Sequence, residues 1–221
     1  MNLNFSVIVP YLGKFGDALL VTLKVTGCSL LFALLLSIPL SLCKISNVKA
    51  LQAFANFYTS IFRGVPILVQ VFLMYFGVPL VTGLRFTAFT AGVIVFSMNS
   101  AAYISESMRG GIKAIDKGQY EAAMALGVGY ARMMKDIILP QAIKSVLPSL
   151  VNEFIGLLKN TTLIASIGLV DILRVGQLIQ AATYRAFEPF LVISVFYYIL
   201  VMFLSYLGKL LERWVNRSDR G

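Results

Sequence analysis

Glu153 is the side chain with the most chemistry to offer. It interrupts an apolar segment, with uncharged runs at 145–152 and 154–158 on either side. A carboxylate at the centre of a bilayer-crossing helix costs roughly 2.5–3.5 kcal/mol on insertion scales, so it needs a partner or a water-filled cavity. Asn160, Thr161 and Thr162 follow within about two helical turns, and Asn152, Gly156 and Asn160 share the neighbouring face. Asn99, on another apolar segment, could face this strip. Asn99, Tyr103 and Glu106 also share one helix face. The set offers a carboxylate for a cationic group and amides and hydroxyls for an anionic one, which is what binding a zwitterion requires. The alternative is a polar seam between two subunits in which Glu153 pairs with Lys159 or an arginine. Glu106 and Arg109, three residues apart, suit an ion pair capping the end of their helix.

Catalysis has no foothold. The 221 residues include no histidine, which removes the usual general base and the commonest transition-metal ligand. Cys28 and Cys43 lack the CxxC spacing of a metal or redox site and read as small apolar filler. Asp17, Asp116, Asp136, Asp171 and Asp219 are scattered over loops and ends. No G-x-x-x-x-G-K loop is present, so any ATP must bind elsewhere. The sequence predicts neither an enzyme nor a metal site.

The elements that carry these residues are membrane spans. The chain is 58% hydrophobic and 13% charged, about half the charge of a soluble domain. From 25 to 43 there is no charged residue, enough to cross a ~30 Å hydrocarbon core at ~1.5 Å per residue. The second apolar segment, about 55–79, contains Arg63, Gly64 and Pro66. Pro66 should kink or start a helix, Gly64 permits close packing, and Arg63, near the cytoplasmic end, reads either as a positive-inside anchor or as a partner for a lipid phosphate or a neighbouring carboxylate. The third span covers about 86–108 and the last about 189–210.

Charge placement supplies the remaining span. Arg109, Lys113, Lys117, Arg132, Lys135 and Lys144 form one basic cluster, and Lys209, Arg213, Arg217 and Arg220 another. Both belong on the cytoplasmic side, so an even number of crossings separates them. The segment 137–160 must therefore cross despite Glu153. The result is an all-α membrane protein of five helices, with the N-terminus outside and the C-terminus inside. A short interfacial segment is expected before residue 15, and a re-entrant or surface helix on the outer face between 160 and 188. The formal charge of +9 then reads as orientation, and no basic run has the aromatic interleaving of a nucleic-acid site.

Between the third and fourth spans lies a polar, glycine-punctuated loop, 116–140. Glu121 to Leu126 are good helix formers, and Ala122, Ala125, Leu126 and Met133 fall toward one side. Gly127 and Gly129 suit a helix end or a close backbone approach. The expectation is a short helix, a turn and a second helical segment running into Pro140.

The same loop resembles the EAA signature of ABC-importer permeases, EAA-x3-G-x9-I-x-LP. Glu121, Ala122, Ala123, Gly127, Ile137, Leu139 and Pro140 fill it at the expected spacing. RGVPILVQ from Arg63, AYISESMRGGI from Ala102 and NEFIGLLKNTTL from Asn152 resemble the polar amino-acid branch (histidine, arginine, glutamine, glutamate, cystine or opine). The resemblance runs over 15–215, one transmembrane domain of the type I importer permease fold, with spans at about 18–43, 55–79, 86–108, 137–160 and 189–210 and a coupling loop at 110–136.

It implies a multi-pass permease subunit of the cytoplasmic (inner) membrane that imports polar amino acids. Glu121, Ala122, Ala123 and Gly127 would form the coupling helix that docks an ATPase. Asn99, Glu153, Asn160, Thr161 and Thr162 are the candidates for the substrate path, with Glu153 on the ammonium. The implied partners are two ABC ATPase subunits, a second permease subunit, identical or paralogous, an extracytoplasmic amino-acid-binding protein and membrane lipid, with no nucleic acid. ATP and Mg would sit on the ATPase, and no cofactor on this chain. Two alternatives remain: import of another small polar solute such as an opine, and a non-transporting scaffold or sensor that docks an ATPase. A continuous polar face joining Asn99, Glu153 and Asn160 would favour transport, and a dry packed interface the scaffold.

Overall fold

A computed structural model describes residues 3–216. Arg217, Asp219 and Arg220 lie outside the described residues. The all-α expectation holds, with no strand among the described residues.

A 3-10 turn, Phe5–Tyr11, opens the chain where the interfacial segment was expected. It leads directly into α1, Leu12–Ile45, which starts six residues before the predicted span. One face of α1 is small or polar and buried: Thr22, Thr26, Ser29, Ala33, Ser37, Ser41 and Lys44. The hydroxyls of Thr22, Thr26, Ser37 and Ser41 donate to carbonyls of their own helix, so they let a neighbour approach without leaving a donor unpaired.

That neighbour is α5, Ala88–Lys113, the most enclosed span. The two helices run in the same direction. Val25 shares an apolar cluster with Phe96, Ala33 and Leu40 share another with Ala101 and Ile104, and Lys44 Nζ donates to Ser105 Oγ at 3.0 Å. Parallel neighbours require an odd number of crossings between them, and a broken span supplies one. α2, Lys49–Gly64, meets the run Ile67–Thr82 at 100°. That run comprises α3, Ile67–Phe72, a π-turn, Leu73–Gly77, and α4, Val78–Thr82.

α6, Lys117–Ala125, and α7, Tyr130–Met133, make up the loop. After a π-turn at Met134–Ile138, α8, Leu139–Asn160, runs antiparallel to α5. Gly111 is the point of closest approach: a Cβ there would lie 2.2 Å from Val146 Cγ2. A 3-10 segment, Thr161–Ile167, and α9, Ile172–Thr183, follow. α9 is the helix expected between 160 and 188, and it buries Ile172, Val175, Gly176 and Ile179 against the 3-10 turn at the chain start and the last helix.

α10, Phe187–Asn216, is the outermost span, with 6% of its most apolar window buried against 67% for α5. A bilayer or a partner must cover that face. Among the described residues, three helices are long and apolar enough to cross a membrane, and the spans number up to five if each of two bent pairs counts as one.

Candidate functional site

The site is built on the break between α2 and α3. An α-helical carbonyl at Phe62 would accept the N–H of residue 66, but that residue is Pro66 and has none. Two side-chain amides replace it. Gln70 Nε2 donates to Phe62 O at 3.0 Å and Val65 O at 2.8 Å, and Asn99 Nδ2 donates to Phe62 O at 2.7 Å and Gln70 Oε1 at 3.3 Å. Gln70 and Asn99 are both buried. Freed carbonyls inside a bilayer need such partners. The first turn of α3 starts from Pro66 O, which accepts from Val69 N and Gln70 N, so the amides of Ile67 and Leu68 lie ahead of that ladder.

A cavity of about 380 Å³ opens beside this break. Its lining includes Arg63 and Pro66 from the break, Asn99 and Tyr103 from α5, and Glu153 and Asn160 from α8. Gly156 adds no side chain between the last two, which keeps that wall open. Glu153 is half-buried and within hydrogen-bond reach of Ser100. It forms no ion pair among the described residues of this chain. The Arg63 guanidinium lies 5.2 Å from the centroid of the Tyr103 ring, a cation–π contact that holds it at the cavity wall.

Three of the five predicted path residues therefore converge: Asn99, Glu153 and Asn160. Thr161 and Thr162 do not join them. Thr161 is fully buried and donates to Leu158 O, while Thr162 is half-buried and donates to Lys159 O. Both hydroxyls are spent on carbonyls of their own turn, where the helix tightens to 3-10. Arg63, read as an anchor or as a partner for a lipid phosphate or a carboxylate, lines the cavity. Gly64 ends α2 in open space and makes no close contact. Gln70 went unread; a glutamine four residues after a proline inside a span was its signal.

Asn99 and Tyr103 share the cavity, but Glu106 leaves that face for an ionic triad. Its carboxylate lies 2.6 Å from Lys44 Nζ and 2.7 Å from an Arg109 guanidinium nitrogen. The predicted Glu106–Arg109 pair is present. Lys44, the first charge after the uncharged run 25–43, is its buried third member, with a side chain 1% exposed.

The loop folds as expected from its residues. Asp116 caps α6 by accepting from Gly118 N, and the helix closes with Val128 N donating to Ala123 O and Gly127 N to Met124 O. Gly127 takes the left-handed conformation this closure demands, at φ 70°. A Cβ there would meet nothing within 4 Å, so the helix end, not a close approach within this chain, explains the glycine. The apolar residues divide between two faces. Ala123 packs inward with Met133 and Ile138, whereas Ala122, Ala125 and Leu126 point out with Glu121 and Met124. Leu126 is 81% exposed, an apolar tip that nothing in this chain covers.

A family model described as a binding-protein-dependent transport system inner membrane component matches residues 29–217. The arginine transport system permease protein of Bacillus subtilis (strain 168) is 46% identical over 219 residues, 99% of this chain and 100% of that protein. A solved amino acid ABC transporter with histidines superposes with a TM-score of 0.91 at 40% identity, over 96% of this chain and 99% of that one. An inward-facing methionine ABC transporter gives 0.81 at 20% identity, over 94% and 99%, which is likeness of fold.

Proposed function

The chain belongs to the binding-protein-dependent transport system inner membrane components, and we propose that it forms part of the membrane path of an ABC importer for polar amino acids. The observation that carries this reading is the cavity at the α2–α3 break, which Glu153 and Arg63 line from different elements together with Asn99 and Asn160. A carboxylate and a guanidinium in one small cavity match the ammonium and carboxylate of a zwitterion. Ile67, ahead of the α3 ladder, is also in the lining and adds a backbone donor. An open polar wall supports transport over the scaffold reading, which would have a dry interface. The names of the arginine permease and of the amino acid transporter support the substrate class.

ATP and Mg bind a partner, because this chain offers no phosphate loop. Two ATPase subunits dock at α6, where Glu121, Ala122 and Gly127 surround the exposed Leu126 tip. A second permease subunit, identical or paralogous, completes the path, and an extracytoplasmic binding protein delivers the substrate. The basic loop and tail place α6 and the C-terminus in the cytoplasm and the N-terminus outside.

The test is uptake of radiolabelled amino acids by proteoliposomes holding the permease, its ATPase and its binding protein. Glu153→Gln removes a charge-assisted hydrogen bond of about 1.5–3 kcal/mol, a loss of roughly ten- to a hundredfold in affinity, while the yield of assembled complex stays at wild type. Full uptake with unaltered specificity in Glu153→Gln removes this residue from the site.

A further inference from the structure

At the end of the bundle nearest α6, a second cavity of about 600 Å³ opens between α1, α5 and α8. Its walls are almost wholly apolar: Ile38 and Leu42 of α1, Met108 and Ile112 of α5, Ile143 and Leu150 of α8. Ser41, its one hydroxyl residue besides Tyr130, already donates to Ile38 O. α5 and α8 touch beside it, where a Cβ at Gly111 would meet Val146. Its rim is open to the side, where Ile38 is 50% and Ile143 60% exposed.

The cavity does not stand alone. Ile45, Ile112, Tyr130 and Met134 also line a polar groove of about 280 Å³ at its end. That groove holds Lys44, Asn47, Gln52, Lys113 and Tyr120, and no carboxylate. Lys44 is neutralised by Glu106, but Lys113 is exposed and has no ion pair among the described residues. An apolar slot at the depth of the last turns of the spans, ending in a cationic groove at the helix ends, has the polarity of one lipid molecule. A water-soluble ligand would not enter the slot, and an uncharged tail alone would leave the groove unmatched.

We propose that this composite is a binding site for an anionic glycerophospholipid of the leaflet on the α6 side, one acyl chain in the slot and the phosphate at Lys113. A single basic residue near an anionic surface favours the charged headgroup by about fivefold. The orientation proposed above decides only which leaflet this is, and occupancy does not depend on amino-acid uptake.

The test uses the full chain in nanodiscs doped with phosphatidylglycerol or phosphatidylcholine, each carrying a diazirine at the end of one acyl chain. After photolysis, label is mapped by mass spectrometry. The expected result is label at 38–45 and 139–150 several-fold above the outer face of α10. Phosphatidylglycerol should be preferred at these positions by about fivefold, with the preference lost in Lys113→Gln. Ile143→Trp, filling the mouth, should abolish label in the slot and leave label on α10 unchanged. Equal labelling of slot and α10 would mean a general lipid annulus and overturn the proposal. So would a headgroup preference unchanged in Lys113→Gln, a variant on the surface that folds whether or not Ile143→Trp does. Loss of slot label once the ATPase is bound would make that protein the occupant, with the same consequence.

Discussion

Replacing Gln70 by leucine tests whether the break in the second span is held by side chains. Leucine keeps most of the volume and removes both amide donors. Phe62 O then retains Asn99 Nδ2, but Val65 O loses the 2.8 Å bond from Gln70. A stranded buried carbonyl costs about 1–3 kcal/mol. Val65 also lines the cavity, so water there would recover part of the loss and set the lower end of that range. Asn99→Leu should cost less, because Phe62 O keeps Gln70 and only Gln70 Oε1 is stranded. The two amides share one acceptor, so the double variant should depart from additivity by at least about 0.5 kcal/mol. Thermal unfolding of the purified chain followed by far-UV circular dichroism gives the order of stabilities. Uptake in proteoliposomes gives KM, which should rise in Gln70→Leu because the break is one wall of the site. A Gln70→Leu protein with wild-type unfolding and wild-type KM refutes the reasoning.

Three further outcomes follow from the geometry. Gly127→Ala puts a β-carbon at φ 70°, costing about 1–2 kcal/mol in the last turn of α6, and should reduce substrate-stimulated ATP hydrolysis while the chain still inserts; full stimulation would remove the docking role. Glu106→Gln leaves Lys44 charged, buried and without its carboxylate, and should destabilise by about 3–5 kcal/mol, whereas Lys44→Met leaves Glu106 with Arg109 and should cost less; the reverse order in thermal unfolding would refute the triad's polarity. Cysteines at Lys117 and Ala181, introduced without Cys28 and Cys43, should react with an impermeant reagent from opposite sides of the membrane, and same-side labelling would defeat the proposed orientation.

Hydropathy, charge placement and the loop motif made much of this architecture legible, because each depends on a single segment. The unpromising span around Glu153 was recovered by charge placement alone, and it is a helix over Leu139–Asn160. What escaped depends on the alignment of two segments. Nothing local tells that Lys44 reaches Glu106, since that needs the register of α1 on α5. That Arg63 lines the cavity was not legible, because its position at the break depends on a 100° turn that Pro66 permits but does not specify. Thr161 and Thr162 lie close to Glu153 in sequence, but closeness does not tell that both hydroxyls are spent on carbonyls of their own turn. In the loop, spacing grouped Met133 with Ala122 and Leu126, but the turn at Gly127 sends Met133 inward and leaves the other two outside.

The α1–α5 seam has a mechanical meaning. The hydroxyls of Thr22, Thr26, Ser37 and Ser41 bond within their own helix, and the triad at Lys44 and Glu106 ties the two rods together at one end. The pair is a beam, pinned where the chain passes through 114–116 into α6. With 26 residues, α5 is about 39 Å long, so each degree of tilt at the pin sweeps the far end through about 0.7 Å. A load applied at α6, the end that the triad ties, would emerge as displacement at the opposite end, where Gly92 meets Ile164.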